Sequence, residues 1–356
     1  MKKILKSIKY RFNIKGSLLD LLNIKALITS FSIIRDKRFN LSSEKIRLFV
    51  NKVESQIDLE KALLLASEIW RGPLKEKLQK VKIFIKNNDI DGLKEIFENL
   101  FKTDLMQGAV SHHDKISKLS RISQGTRFYK RYKLLKTEIK NKEPKLIEKL
   151  FKVIHSDNYN FGRPLIYKDI YKFNIEFPDE LYFCLFITDF LKEKEFNEIV
   201  FIGDGAGLLS PLVIESINYY NKINETQFRI IDFLHFSLIT ALRNNKENVI
   251  INLPEKLHKY HKKKVLKGDL PSIKGSRLII NQDSFPEMKK VSLSTYLKNT
   301  ADETTVISYN QLAQEAGKNH SDYLLILKEL GYKNIIIKKS KLRSNYFMSV
   351  FFKESI

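Results

Sequence analysis

The sequence has almost no cysteine and no long hydrophobic run. Its 356 residues include one cysteine, Cys184, so an intramolecular disulfide and a zinc site built from cysteines are excluded. No stretch reaches the roughly 18 uninterrupted apolar residues of a membrane span, because the nearest one, residues 18–34, carries Asp20, Asn23 and Lys25. The basic start at Met1 has no apolar core behind it, which argues against a signal peptide. These absences predict a cytoplasmic protein.

Acidic residues are also in short supply. Lys and Arg number 63 against 41 Asp and Glu, a formal net charge of +22 that is spread along the chain. Such a charge fits nucleic acid, an anionic membrane or acidic substrates, and it also fits a compositional bias that leaves lysines solvated. Because no recognition motif accompanies the charge, we predict no nucleic-acid partner. Residues 1–15 alternate basic and apolar side chains, which predicts an amphipathic helix able to contact the inner face of a membrane peripherally.

The pattern of hydrophobic residues changes near residue 195. Before it, apolar positions recur at helical spacing, with helices predicted over 56–70, 74–86, 91–101 and 144–154 and a break at Gly72-Pro73. We therefore predict an all-helical domain over 1–155, a linker with helices over 156–194, and an α/β domain over 195–356.

Seven short apolar runs follow residue 195, and most of them alternate with helical segments. They are residues 199–202, 228–231, 249–251, 277–280, 304–308, 334–337 and 346–352. Alternation of strands and helices predicts a mainly parallel, Rossmann-like sheet covered by helices on both faces. The polar link between the last two runs predicts an antiparallel hairpin at one edge.

A glycine-rich turn follows the first of these strands. Gly203, Asp204, Gly205 and Gly207 stand between the strand and a helix, and a second acid, Asp232, ends the next strand. Glycines allow a tight turn and close approach of a ligand, although a turn needed only for packing would have the same composition. A dinucleotide fingerprint would need G-x-G-x-x-G with an acid about 20 residues later, so the spacing here departs from that of NAD-binding proteins.

This turn, the strand-end acid and the seven strands resemble class I S-adenosylmethionine-dependent methyltransferases. The resemblance implies S-adenosylmethionine as cofactor, lying over Gly203–Gly207, with Asp232 holding its ribose and Phe233 beside it. In that class the sheet also has seven strands and ends in an antiparallel hairpin.

A second signature follows the fourth strand. The residues from Asn281 to Met288 read NQDSFPEM and, with Asp232, resemble a bacterial sugar O-methyltransferase family. The resemblance implies a sugar or glycan acceptor in surface polysaccharide or lipopolysaccharide biosynthesis, and cofactor contacts from Asn281 and Ser284. Two features depart from the family: Phe233-Leu234 replaces a Leu-Pro pair, and Asp204 follows the first glycine instead of preceding it.

Transfer of a methyl group to a hydroxyl needs a base that accepts the hydroxyl proton. Because ligands of open α/β sheets bind at the carboxyl ends of the strands, the candidates are Glu287, Asp283 and His235. A structural alternative exists, since Ser284 and Glu287 have the spacing of a helix capping box.

Other polar residues are candidates for the acceptor pocket. They are His112 and His113, Arg163 as a clamp for a phosphate or carboxylate, and Asn310 after the fifth strand. The histidine pair has no spacing typical of a metal geometry, and we predict no metal site. The sequence is compatible with an oligomer and with two rival functions, an NAD(P)-dependent or nucleotide-sugar oxidoreductase and a non-catalytic scaffold at a membrane surface.

Overall fold

The computed structural model describes most of the chain beyond residue 40. The described residues are 33–34, 41–65, 68–98, 118–160, 166–168, 172–174, 176–220, 226–244, 249–261, 264–298, 300–311 and 322–354. The basic segment 1–15, His112, His113 and Arg163 lie outside these ranges.

Helices dominate the first half of the described chain. They are α1 (Ser43–Val53), α2 (Leu59–Leu65), α3 (Glu68–Lys86), α4 (Ile90–Glu98), α5 (Lys118–Ile139), α6 (Pro144–His155), α7 (Asp157–Asn160) and α8 (Phe177–Glu193). The predicted break at Gly72-Pro73 is wrong, because α3 runs through both residues. Pro73 lies in the second turn of α3, where its missing N–H removes a single helical hydrogen bond.

Within the described residues, the main sheet has the seven predicted strands. They are β4 (Glu198–Ile202), β5 (Gln227–Ile231), β6 (Ile250–Asn252), β9 (Ser276–Gln282), β10 (Glu303–Gln311), β11 (Lys333–Lys339) and β12 (Tyr346–Glu354), in the order β11-β12-β10-β9-β4-β5-β6. Pairing is parallel from β6 to β10, and β12 is antiparallel to both β10 and β11. The predicted Rossmann-like sheet with a terminal hairpin is therefore confirmed.

Helices cover both faces of the sheet, because alternate strand residues point to opposite sides. On one face Ile199 and Phe201 join a core that extends from Leu41 to Val350, and α9 (Leu209–Tyr219) and α10 (Leu234–Asn244) pack there with the N-terminal helices. On the other face Val200 and Ile202 pack with α12 (Lys290–Leu297) and α13 (Tyr323–Glu329). The N-terminal helices thus share a continuous core with the sheet.

Three smaller features complete the described chain. The strands β1 (Ile33–Ile34), β2 (Ile166–Lys168) and β3 (Lys172–Asn174) form an antiparallel sheet, and β7 (His258–His261) pairs with β8 (Lys264–Gly268). The short helix α11 (Pro254–Leu257) follows β6. No helix among the described residues is long and apolar enough to cross a membrane.

Candidate functional site

The glycine turn joins β4 to α9 at the carboxyl edge of the sheet. Gly203, Gly205 and Gly207 all have positive φ angles, of 67°, 55° and 68°. A side chain at Gly203 would place its Cβ 2.1 Å from Ser284 Oγ, and one at Gly207 would lie 2.6 Å from Thr240 Cα. The first and third glycines are therefore required by close packing as well as by backbone conformation.

Asp232 ends β5 beside this turn, as predicted. One of its carboxylate oxygens accepts a hydrogen bond from the N–H of Gly205 at 3.0 Å, and the other accepts from the N–H of Phe233 at 2.8 Å. Only 8% of the residue is exposed, and this burial raises the pKa of Asp232 to about 7. A ligand that donates hydrogen bonds to this carboxylate would stabilise its charged form.

Asp204 has a different role from the other residues of the turn. Its Oδ2 accepts hydrogen bonds from the N–H of Ser210 at 3.3 Å and from Ser210 Oγ at 2.6 Å. The carboxylate thus caps the first turn of α9, which satisfies a backbone donor that a bound anion would otherwise use. Burial raises the pKa of Asp204 to about 6.

The loop after β9 is fastened to the glycine turn by Asn281 and Ser284. Asn281 Nδ2 donates to the carbonyl oxygen of Ile202 at 2.6 Å and to Ser284 Oγ, whose hydroxyl donates to the same carbonyl at 3.2 Å. Asn281 Oδ1 accepts from the N–H of Phe285 at 3.1 Å. These bonds place Asn281 and Ser284 as positioning residues, and their direct contact with a cofactor stays a prediction.

The capping-box interpretation of this loop is wrong. Phe285–Glu287 forms a single 3-10 turn, and the Ser284 side chain makes no capping hydrogen bond to it. The following helix α12 has Lys289 at its N-cap, also without a side-chain cap. The Ser284 hydroxyl donates instead to the carbonyl oxygen of Ile202, so the three-residue spacing from Ser284 to Glu287 does not reflect a capping box.

The three candidate bases differ in their surroundings. Asp283 has a positive φ of 64°, its side chain is 40% exposed, and its Oδ2 lies 2.6 Å from Arg343 Nη1. Glu287 is half-buried in the 3-10 turn. His235 is fully buried on α10 against Phe236, with ring centroids 4.0 Å apart. All three assignments stay predictions, and the burial of His235 favours a structural role for it.

A cluster of charged residues that sequence reasoning missed adjoins Asp283. The buried Asp179, in the first turn of α8, pairs through Oδ2 with Arg131 of α5 and lies 3.3 Å from Arg343 Nε. The Arg343 guanidinium also lies over the rings of Tyr309 and Tyr346, at 5.8 and 4.5 Å. A helix that leads into β4 must begin at the carboxyl edge of the sheet. The helix start at Pro178-Asp179-Glu180 could therefore have placed Asp179 near this edge from the sequence alone.

Glu180, beside Asp179, is half-buried and has no hydrogen-bond or ion-pair partner among the described residues. Burial and the nearby Asp204 carboxylate raise the pKa of Glu180 well above its ordinary value. The glycine turn is therefore bordered by two carboxylates that disfavour further negative charge.

Glu255 marks the other end of the carboxyl edge, just after β6. Its Oε1 accepts from the N–H of Asp58 at 3.4 Å, and its Oε2 is buried without a partner among the described residues. Burial raises the pKa of Glu255 to about 7. An unpaired buried carboxylate oxygen is costly unless a ligand donates to it.

Of the predicted acceptor residues, Asn310 lies among the described residues. His112, His113 and Arg163 lie outside the described residues, so their roles stay predictions. Asn310 is fully buried on β10, and its Nδ2 donates to Asn281 Oδ1 at 2.9 Å. That bond places Asn310 among the residues that hold the loop after β9.

No protein-family profile matches the sequence, and no curated protein matches it. Solved structures do match about half of the chain. A protein from Nostoc punctiforme described as a candidate O-methyltransferase shares 11% identity over 49% of this chain, with a TM-score of 0.37, and this chain spans only 57% of its length. A SAM-dependent methyltransferase from Aquifex aeolicus shares 16% identity over 49% of this chain and 90% of its own, with a TM-score of 0.34.

A third match is the N-methyltransferase NodS from Bradyrhizobium japonicum, solved with S-adenosyl-L-homocysteine. It shares 12% identity over 50% of this chain and 87% of its own, with a TM-score of 0.34. At these TM-scores the likeness is distant and carries no information about the chemistry of the site.

Proposed function

We propose that this protein transfers a methyl group from S-adenosylmethionine to a sugar hydroxyl, in surface polysaccharide or lipopolysaccharide biosynthesis. The observation that carries the proposal is the Asp232 carboxylate, held against the N–H of Gly205 at the end of the second strand of the sheet. Two adjacent ribose hydroxyls of an adenosyl ligand would donate to this carboxylate, whose oxygens each retain acceptor capacity.

Charge at the turn favours a sulfonium cofactor over a dinucleotide. A pyrophosphate needs free backbone donors at the start of α9, but Asp204 already accepts from the N–H of Ser210. Glu180 adds a second carboxylate near the same place. S-adenosylmethionine carries an ammonium and a sulfonium, so the same two carboxylates would attract it where they repel a pyrophosphate. This contrast disfavours the oxidoreductase alternative.

The residues along the carboxyl edge fit the remaining parts of the cofactor. Glu180 has no partner among the described residues and would accept from the cofactor's ammonium. Glu255 Oε2, which is buried and unpaired among the described residues, would accept from the exocyclic amine of adenine. When bound, the cofactor supplies an electrophilic methyl group. Asp283 or Glu287, in the loop beyond Ser284, would accept the proton of the acceptor hydroxyl.

Calorimetric titration of the full chain with S-adenosylhomocysteine and with NADH tests the proposal. We expect the first ligand to bind and the second to show no binding. Asp232→Ala should weaken S-adenosylhomocysteine about 100-fold, because hydrogen bonds to a charged group contribute roughly 1.5–3 kcal/mol each. Asp232→Asn, which keeps one side-chain oxygen as an acceptor, should cause a smaller loss.

Asp91→Ala on α4 is the matched control, since it removes an exposed acid and should leave affinity unchanged. Binding of NADH alone would replace the methyltransferase proposal with the oxidoreductase. Binding of neither ligand, in protein shown to be folded by its thermal transition, would refute both and favour the scaffold. If S-adenosylhomocysteine binds, turnover with a panel of sugar acceptors tests the hydroxyl assignment.

A further inference from the structure

Three arginine side chains converge next to the candidate acceptor side of the site. Arg127 and Arg131 lie four residues apart on α5 and so share one helix face, while Arg343 comes from the link between β11 and β12. Arg131 and Arg343 meet at the same oxygen of Asp179. Residues more than 200 positions apart in the chain thus build one cluster.

The hydrogen-bonding capacity of this cluster exceeds what the protein uses. A guanidinium has five N–H donors. The Arg127 guanidinium has no hydrogen-bond acceptor among the described residues. Arg343 Nε lies 3.3 Å from Asp179 Oδ2 and is buried without a hydrogen bond within the same set. Buried polar groups are normally paired, so the deficit indicates a site that a ligand completes.

The balance of charge indicates the sign of that ligand. Arg127 is half-buried, and burial together with the charges of Arg131 and Arg343 lowers its pKa. Asp179 contacts Arg131 and Arg343, and Asp283 also pairs with Arg343. The charges of Asp179 and Glu176 oppose the repulsion at Arg127, but no described carboxylate forms an ion pair with its guanidinium. An incoming anion would relieve this repulsion and supply the missing acceptors.

The position of the cluster assigns it to the acceptor. Arg343 Nη1 is 2.6 Å from the carboxylate of Asp283, the candidate base in the loop after β9. The Arg343 guanidinium lies over the rings of Tyr309 and Tyr346, 5.8 and 4.5 Å from their centroids. An anionic group bound to the remaining N–H groups of Arg343 would therefore lie beside Asp283, which is proposed to accept the hydroxyl proton.

We propose that Arg127, Arg131 and Arg343 form a subsite for an anionic group, phosphate or carboxylate, on the acceptor. The planar forks of arginine match both groups in bidentate geometry. A phosphate would come from a nucleotide-linked or lipid-linked sugar, and a carboxylate from an acidic sugar. The identification of the ligand as the acceptor rests on the proposed function, whereas the anion subsite itself does not depend on that function.

Calorimetric titration of the full chain with inorganic pyrophosphate and with glucuronate, each without and with saturating S-adenosylhomocysteine, tests the subsite. We expect at least one probe to bind, and Arg127→Gln to weaken that probe about tenfold. Arg127→Lys, which keeps the charge but loses the fork, should weaken it less. The probe that depends on Arg127 distinguishes the two sources of the anion.

Arg47→Gln is the matched control, because Arg47 is an exposed arginine on α1 and its loss lowers the net charge equally. Equal weakening by Arg47→Gln and Arg127→Gln would mean that the net positive charge alone attracts the probes, and would overturn the subsite. Unchanged binding in Arg127→Gln and Arg127→Lys, or binding of neither probe, would also overturn it. Thermal transitions of the variants, expected to match the parent, establish that they are folded.

The cofactor's own carboxylate is the remaining rival occupant. If S-adenosylhomocysteine competes with the probe, and Arg127→Gln weakens both equally, the cluster belongs to the cofactor and the proposal is wrong. If the chain does not bind S-adenosylhomocysteine but binds a probe through Arg127, the methyltransferase proposal fails and the anion subsite stands. If it binds S-adenosylhomocysteine and no probe, only the subsite fails.

Discussion

Two arginine–carboxylate clusters lie at opposite edges of the same sheet. At the amino edge Glu198 pairs with Arg229 at 2.7 Å and with Arg277 at 2.6 Å, one oxygen to each. Further donors of these arginines reach Asn252 Oδ1, Thr300 Oγ1 and the carbonyl oxygen of Pro271. No buried side-chain atom of the three residues lacks a partner.

The cluster at the carboxyl edge uses the same residue types but is incomplete. Among the described residues, Asp179 Oδ1 and Arg343 Nε are buried without hydrogen bonds, and Arg127 has no acceptor. The side chains of Arg131 and Arg343 are 16% and 21% exposed, whereas that of Arg277 is fully buried. The difference separates a cluster that stabilises the fold from one that is suited to a ligand.

The largest expected effect comes from breaking the cluster at the amino edge. Glu198→Ala leaves two buried guanidiniums without their carboxylate, and loss of one partner in a buried ion pair typically costs about 3–5 kcal/mol. We expect a decrease of that size in the free energy of unfolding, measured in urea. Pyrophosphate should not restore it, because Glu198, Arg229 and Arg277 are all buried.

Glu44→Ala is the control for this prediction, because Glu44 is exposed on α1 and its loss should change the free energy of unfolding by less than about 0.5 kcal/mol. A cost below 1 kcal/mol for Glu198→Ala would contradict the view that the amino-edge cluster stabilises the fold.

A smaller loss of stability is expected from breaking the cluster at the carboxyl edge. Asp179→Ala should lower the free energy of unfolding by about 2–3 kcal/mol, less than the usual cost of breaking a buried pair, because the arginines stay partly solvated and Arg343 keeps Asp283. Saturating pyrophosphate should restore part of the loss by supplying a new anion. Equal insensitivity of Asp179→Ala and Glu198→Ala to pyrophosphate would remove the distinction between the two clusters.

The smallest effect concerns pH and the carboxylate that borders the glycine turn. Burial raises the pKa of Asp232 to about 7, so the folded protein binds a proton more tightly than the unfolded chain. Stability from this group is therefore present at low pH and falls as pH rises, by about 2 kcal/mol between pH 5 and pH 7.

Asp232→Asn should remove that part of the pH dependence, while Asp204 and Glu255, with pKa values raised to about 6 and about 7, keep a fall of the same sign. Urea titrations of both proteins at several pH values measure the difference. A pH profile unchanged by Asp232→Asn would mean that the carboxylate is not held in its protonated form by burial.

The sequence predicted the strands and the glycine turn well, because both depend on neighbouring residues. Apolar runs of three to seven residues marked all seven strands, and the structure extends most of them by one or two residues at their ends. The turn was recognisable because its glycines and Asp232 stand at strand ends, whose relative positions follow from parallel pairing. The break predicted at Gly72-Pro73 failed because α3 continues through both residues, with Pro73 in its second turn.

The roles of Asn281, Ser284 and Asp204 required the tertiary structure. Each residue was singled out from the sequence, but their side chains bind the backbone and side chains of the protein itself: Asn281 and Ser284 at the carbonyl of Ile202, and Asp204 at Ser210. A one-dimensional pattern shows that a polar residue is near the site, and it does not show which way the side chain points.

The sequence by itself determined the sheet, its edge hairpin and the turn that Asp232 borders, since hydrophobic periodicity and strand-end residues act locally. Only the tertiary structure decided where the charges meet. Arg131, Asp179 and Arg343 lie in three separate segments, and nothing local pairs a residue of α5 with one in the last hairpin. Their meeting, and the hydrogen bonds it leaves unmade, result from long-range packing of α5 and α8 against the sheet.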